Sequence, residues 1–283
     1  MKRSVGSKSR ESHGFWYANR FLILRRFSQF SILALFLLGP LFGLWIMRGN
    51  LSSSRILDTV PLTDPFVFTQ IVLSGHVPEI NAIIGVVLVV FFYMLVGGRV
   101  FCSWVCPVNM ITDLAGWLRR KYSINTTSKL DSGFRRVLLV TVLLLPLVTG
   151  YVVWELVNPV SLMHRGIIFG MGYGWLMLLA LFLFDLFIVR RGWCGHVCPM
   201  GAFYAQLGRK RALVIDAYQR DQCDDCADCY LVCPEPQVLN QPLKSKSDST
   251  IVSSIDCTNC GRCIDVCEPK VFRFSRDPDT GQA

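Results

Sequence analysis

Apolar residues gather into four long runs, near residues 27–47, 81–98, 137–157 and 171–189, with shorter polar stretches between them. A helix crossing the hydrocarbon core of a bilayer needs about 20 residues, and all four runs approach that length. A buried helix of a soluble protein usually keeps one polar face. Residues 137–148 and 176–189 are instead apolar nearly all round. The pattern therefore predicts four membrane helices, with the core helices of a soluble protein as the weaker alternative. Pro40 and Pro146 fall inside two of the runs. Membrane helices tolerate proline where neighbours satisfy the freed carbonyls.

Charge sets the expected orientation. The segment before the first run carries Lys2, Arg3, Lys8, Arg10, Arg20, Arg25 and Arg26. Arg99, Arg119, Arg120, Lys121, Lys129, Arg135 and Arg136 lie between the second and third runs, and Arg190, Arg191, Arg209, Lys210 and Arg211 follow the fourth. The other two loops hold only Arg48, Arg55 and Arg165. Positive residues stay on the cytoplasmic side, so both termini are expected there and residues 48–80 and 158–170 opposite. The N-terminal segment lacks a small-residue cleavage site and is not expected to be a removed signal peptide. The net charge of +9 invites a nucleic-acid reading, but the basic residues flank apolar runs and no nucleic-acid-binding motif accompanies them.

The twelve cysteines are grouped, not scattered. The clearest groups are Cys223-x2-Cys226-x2-Cys229-x3-Cys233-Pro234 and Cys257-x2-Cys260-x2-Cys263-x3-Cys267, the second with Pro269 one place later. This is the spacing of bacterial two-cluster ferredoxins, in which three thiolates cap one [4Fe–4S] cube and the fourth ligates the other. Cys223, Cys226, Cys229 and Cys267 are expected to hold one cluster, and Cys257, Cys260, Cys263 and Cys233 the other. Structural zinc, which also accepts four thiolates, is the alternative. Residues 244–248, between the two runs, read as a polar surface insertion.

Two further pairs sit at the membrane edge, Cys102-x3-Cys106-Pro107 and Cys194-x3-Cys198-Pro199, and they belong to an internal repeat of 92 residues in which Arg99 matches Arg191 and Val105 matches Val197. Proline disfavours helix at the residue before it, so each pair is expected to cap a turn. One pair alone has too few ligands for a cluster, while four thiolates brought together would suffice. A further redox centre and free redox-active thiols both remain open. The fold expected is an α-helical membrane protein of four transmembrane helices, arranged as two hairpin repeats, with a small α+β ferredoxin domain of bacterial 2[4Fe–4S] type. Its parts are a cytoplasmic segment at 1–26, a membrane domain at 27–211 and a cytoplasmic ferredoxin domain at 212–283.

Paired Cys-x3-Cys-Pro motifs after membrane helices, followed by two ferredoxin runs, resemble the NapH family, the membrane quinol dehydrogenase component of periplasmic nitrate reductase systems. A wider group includes NosR and CcoG. The resemblance implies a multi-pass protein of the bacterial inner membrane. It would oxidise membrane quinol and deliver electrons to a periplasmic iron–sulfur protein resembling NapG. Quinol oxidation releases protons, so Glu155, His164 and His76 become candidates for a quinol site at the outer edge. Ordinary loop chemistry is the competing account of them. The rival functions are a CcoG-like copper reductase for cofactor assembly and a non-catalytic anchor with structural clusters.

Overall fold

The computed structural model describes residues 4–124, 130–131, 133–170, 172, 174–244 and 249–276. Lys2, Arg3, Lys129 and residues 245–248 of the polar insertion lie outside them. The α-helices are α1 (Ser7–Tyr17), α2 (Arg20–Phe42), α3 (Pro65–Leu73), α4 (Ile80–Val96), α5 (Val108–Tyr122), α6 (Phe134–Thr149) and α7 (Trp154–Val157), then α8 (Pro159–Phe169), α9 (Gly174–Leu183), α10 (Pro199–Leu207), α11 (Asp228–Val232), α12 (Asn240–Lys244) and α13 (Arg262–Val266). The strands are β1 (Met47–Gly49), β2 (Ser53–Ile56), β3 (Val60–Thr63), β4 (Leu213–Asp216) and β5 (Arg273–Arg276).

The four apolar runs become helices with shifted ends. Among the described residues one helix, α2, is both long and apolar enough to cross a membrane; α4 and the stretch Gly174–Ile188 are shorter apolar helices. The third run was expected to reach residue 157, but α6 ends at Thr149. Gly150 closes it at φ +70°, and its amide donates to the Pro146 carbonyl. A left-handed residue just past the last turn is a common helix stop, and glycine adopts it without strain. The fourth run leaves α-geometry at Phe184–Ile188, which winds as a π-helix.

The residues form two compact units. One comprises Gln29–Phe92 and Val105–Tyr204. Here β1, β2 and β3 make an antiparallel sheet, with Arg48 opposite Arg55 and Ser54 opposite Leu62. The sheet leads directly into α3, because the Asp64 amide donates to the Ser52 carbonyl at 2.8 Å. Helix α3 packs on α6, and α5 packs on α8 and α9. In α5, Val108, Thr112, Ala115 and Arg119 recur at helical spacing and are buried, as one inward face requires.

The other unit comprises Met1–Ser28, Tyr93–Trp104 and Ala205–Ala283. Strands β4 and β5 pair antiparallel, with Leu213 opposite Arg276 and Asp216 opposite Arg273. Helix α11 packs on α13, and so does α1. The core joins Ile215, Val238, Leu239, Val252, Ile264, Val271 and Phe272, with the Cys263 thiol among them. The Asp265 carboxylate accepts the amides of Phe21 and Leu22, both at 3.2 Å, and ties the N-terminal segment to α13.

Candidate functional site

The two ferredoxin runs fold alike. In each, a left-handed residue turns the chain into a short helix: Ala227 at φ +61° before α11 and Gly261 at φ +70° before α13. The third cysteine of each run, Cys229 or Cys263, sits inside that helix, and the fourth, Cys233 or Cys267, follows its end with extended backbone. Only glycine fits at 261, since a Cβ there would lie 2.5 Å from Cγ of Phe21.

The thiols group across the runs. Cys233 joins Cys257, Cys260 and Cys263 around one cavity, whose other walls include Ile215, Val238, Leu239 and Val252. Burial pushes the Cys263 thiol well up, and Cys260, Cys233 and Cys257 push it further. In the other group, burial and the neighbouring Cys267, Cys226 and Cys223 push Cys229 up to about 12. Burial likewise carries Cys267 to about 11. Crowded thiols in a dry site resist ionising without a cation. Among the described residues no three His, Cys, Asp or Glu side chains close on a single metal ion. A zinc site needs its thiolates about 2.3 Å from one point, whereas a cube offers separate irons. Four thiols around an apolar cavity fit an iron–sulfur cube.

The repeated Cys-x3-Cys-Pro motifs also share a local fold. Phe101–Val105 and Trp193–Val197 are π-helical, holding Cys102 and Cys194. Cys198 is then extended ahead of Pro199. Cys102 belongs to the C-terminal unit; Cys106, Cys194 and Cys198 belong to the other. The matched arginines are both buried and both paired with acids. Arg99 Nη1 lies 2.7 Å from Glu235 Oε1, and Arg191 Nη1 lies 2.7 Å from Asp113 Oδ1. Burial alone would favour discharging Arg99, but Glu235 overrides that and raises its pKa.

Of the three candidates for a quinol site, His164 is buried, with Phe36 edge-on at 4.7 Å. Glu155 Oε1 accepts hydrogen bonds from Ser52 at 2.9 Å, Asn158 at 3.0 Å and Ser161 at 3.2 Å. His76 is exposed and hydrogen-bonds Ser74 at 2.9 Å. Sequence reasoning passed over Asp64, Gln70 and Tyr204, all buried; Tyr204 donates to Asp64, and the amide of Trp154, the neighbour of Glu155, donates to Gln70. The signal that finds the first two is a second recurrence: Asp64-Pro65 returns as Asn158-Pro159, and the same offset carries Gln70 onto His164.

The comparisons with known proteins bear on both motif types. A family profile described as "4Fe-4S binding domain" matches twice, at residues 80–125 and 171–215. Those stretches are the two copies of the internal repeat, with Cys102/Cys106 in one and Cys194/Cys198 in the other. The ferredoxin-type protein NapH of Haemophilus influenzae is 53% identical over 273 residues, 96% of this chain and 95% of its own. The chain belongs to the NapH family. NapH of Escherichia coli is 50% identical, over 97% of this chain and 96% of its own. The methylamine utilization ferredoxin-type protein MauN of Methylorubrum extorquens is 46% identical, over 93% and 91%. No solved structure matches. The protein is thus a NapH-like, ferredoxin-type electron-transfer protein with iron–sulfur-binding domains.

Proposed function

We propose that this NapH-family protein is a membrane subunit that oxidises quinol and passes electrons toward a periplasmic nitrate reductase system, through a NapG-like iron–sulfur partner. Two [4Fe–4S] clusters serve it, one on Cys223, Cys226, Cys229 and Cys267 and the other on Cys257, Cys260, Cys263 and Cys233. Such clusters supply one-electron chemistry. The observation that carries the reading is the cavity lined by Cys233, Cys257, Cys260 and Cys263, in a chain 53% identical to a NapH. Four membrane spans with both termini cytoplasmic are supported by the basic flanks and by the apolar side chains that α4, α6 and α9 leave exposed, among them Phe91, Leu144 and Leu176; in that topology the Tyr204–Asp64 hydrogen bond requires α3 or α10 to fold back into the span. The Cys102/Cys106 and Cys194/Cys198 pairs hold further iron, a reading supported by the profile match over both repeats.

The test is a redox titration of the purified protein by paramagnetic resonance, with iron analysis and added quinol analogues. Quinol-reducible clusters and more than eight irons are expected. Clusters that dithionite reduces and no quinol reduces would leave an anchor or a metal reductase. A second reading keeps the chemistry and changes the destination. The 46% identity to a methylamine utilization ferredoxin-type protein supports a terminal partner in methylamine utilization, and reconstitution with each system separates the two.

A further inference from the structure

We propose that Asp64 is the proton acceptor of a buried quinol-headgroup site formed by α3, α7, α8 and α10, an assignment that rests on the quinol-oxidising reading above. The geometry starts from the second recurrence in the sequence. Asp64-Pro65 and Asn158-Pro159 stand in corresponding places of the two halves, and the same offset carries Gln70 onto His164. Asp64 caps α3 by accepting the Phe66 amide at 3.0 Å, and Asn158 caps α8 by accepting the Val160 amide at 3.1 Å. Proline at the first helical position suits both starts. Asp64 is 5% exposed, Gln70 0%, Asn158 1% and His164 2%.

Capping leaves this cluster with polar capacity unused. Asp64 Oδ2, Gln70 Nε2, Trp154 Nε1 and His164 Nε2 are buried without a hydrogen-bond partner among the described residues. Leaving such an atom unpaired costs its full desolvation, and natural interiors almost always satisfy it. The neighbourhood is continuous. The Tyr204 hydroxyl donates to Asp64 Oδ1 at 2.9 Å, and the Trp154 amide donates to Gln70 Oε1 at 3.3 Å. The Phe66 ring meets Trp154 at 5.9 Å and Phe203 at 5.3 Å. Glu155, next along α7, shares Ser52 with the strand segment leading into Asp64. Aromatic rings, N–H donors and a carboxylate in one buried neighbourhood are what a hydroxylated aromatic headgroup requires.

Burial pushes the Asp64 carboxyl up to about 7, against the Phe66 amide and the Tyr204 hydroxyl, with Glu155 pushing the same way. The groups facing it are Tyr204 from α10 and Glu155 from α7. Behind Glu155 stands Arg165 Nη2, 3.9 Å from Oε2; the charge of Arg165 also reaches His164, whose pKa burial lowers. A base works best when its pKa lies near the operating pH, and it reaches its proton directly or through one water. In the step, both quinol O–H bonds break. One proton passes to Asp64 and the other to Glu155, and the product is quinone; the two electrons would be accepted singly by the clusters that the ferredoxin cysteines would hold. Tyr204 is a positioning residue that holds Oδ1 and leaves Oδ2 to receive the proton.

The test uses the full-length protein with clusters in place and menadiol as reductant. Asp64→Asn should lower menadiol-driven cluster reduction at least ~100-fold at neutral pH, the order expected of a lost general base. Dithionite should still give the unaltered cluster spectrum. Wild-type rates should rise with pH through about 7, and an infrared band of protonated carboxyl should titrate over the same range and vanish in Asp64→Asn. Should that variant fold poorly, Tyr204→Phe, which removes only the hydroxyl donor, should move the midpoint of both profiles upward. Unimpaired Asp64→Asn beside a normally reduced wild type overturns this assignment alone, as does a Tyr204→Phe midpoint that stays put. A wild type that menadiol cannot reduce overturns the quinol reading, and the assignment with it.

Discussion

The two thiol groups of the C-terminal unit share one spacing and stand in opposite electrostatic surroundings. Around Cys257 are two buried guanidiniums. Arg211 donates to the carbonyls of Val252 at 2.6 Å and Ser254 at 3.0 Å, and Arg99 donates to that of Asp256 at 2.8 Å. Both charges pull the Cys257 thiol down, against the burial that raises it. Cys226, in the other group, is exposed and has Asp224 and Asp228 beside it, which add to the burial that raises its pKa. Positive charge favours the reduced, more negative cluster and negative charge opposes it. Arg99 is paired with Glu235, which lines the same cavity, so the positive charge there rests chiefly on Arg211; on that balance the cluster on Cys233, Cys257, Cys260 and Cys263 is expected at the higher potential. One ligand pattern can yield two unequal electron carriers because the rest of the chain brings different charges to each.

The strongest way to break this comparison is to remove the ligand that crosses between the runs. Cys267→Ala should cost the cluster on Cys223, Cys226 and Cys229, and leave the other with its own signal. Paramagnetic resonance of the reduced variant decides it. Loss of the higher-potential signal alone would mean that each run ligates its own cluster, and the charge contrast would have to be reassigned.

Next in size is the buried ion pair. Arg99 and Glu235 have side chains 1% and 4% exposed, with 2.7 Å between them. Deleting one partner of such a pair strands the other charge, typically at a cost of about 3–5 kcal/mol. Arg99→Met should lower unfolding stability by that order and expose the cavity beside Glu235 to iron loss. Replacing both partners, as Arg99→Met with Glu235→Leu, should recover most of the stability but not the potential. Thermal unfolding followed at the cluster absorbance separates the two effects.

This contrast marks where sequence reading stops. The cysteine runs were legible because ligation chemistry fixes their local spacing. The repeat was legible because both copies keep the same residues. Arg99 and Glu235 could be seen as charges but not as a pair, since 136 positions separate them. The sheet of β1, β2 and β3 left little trace: its strands are three or four residues long, too short for alternation to stand out. The end of α6 was misjudged because apolar residues continue to Val157, while the stop lies in the backbone of Gly150. Asp64 is one loop acid among several in the sequence, and its recurrence as Asn158 ahead of a proline is what sets it apart.

The smallest effect is the most specific to the comparison. Asp224 forms an ion pair with Lys8, whose side chain is 41% exposed, and Asp228 accepts the Gly6 amide at 2.8 Å. The N-terminal segment thus covers the acids beside Cys226 without removing their charge. A unit charge about 8 Å away is worth roughly 2 kcal/mol at an effective dielectric of about 20. Solvent screening at a half-exposed site reduces that several-fold. With ~59 mV equivalent to a tenfold change in a one-electron couple, Asp224→Asn should raise the potential of the Cys226 cluster by ~30 mV. Asp228→Asn should act in the same direction. The Cys257 cluster should move far less, because the altered charges lie in the other group's surroundings. Potentiometric titration of both signals in one sample reads the two shifts against each other. Equal shifts in the two clusters would show that the acids act as general surface charge, and the contrast between the sites would then lie in burial instead.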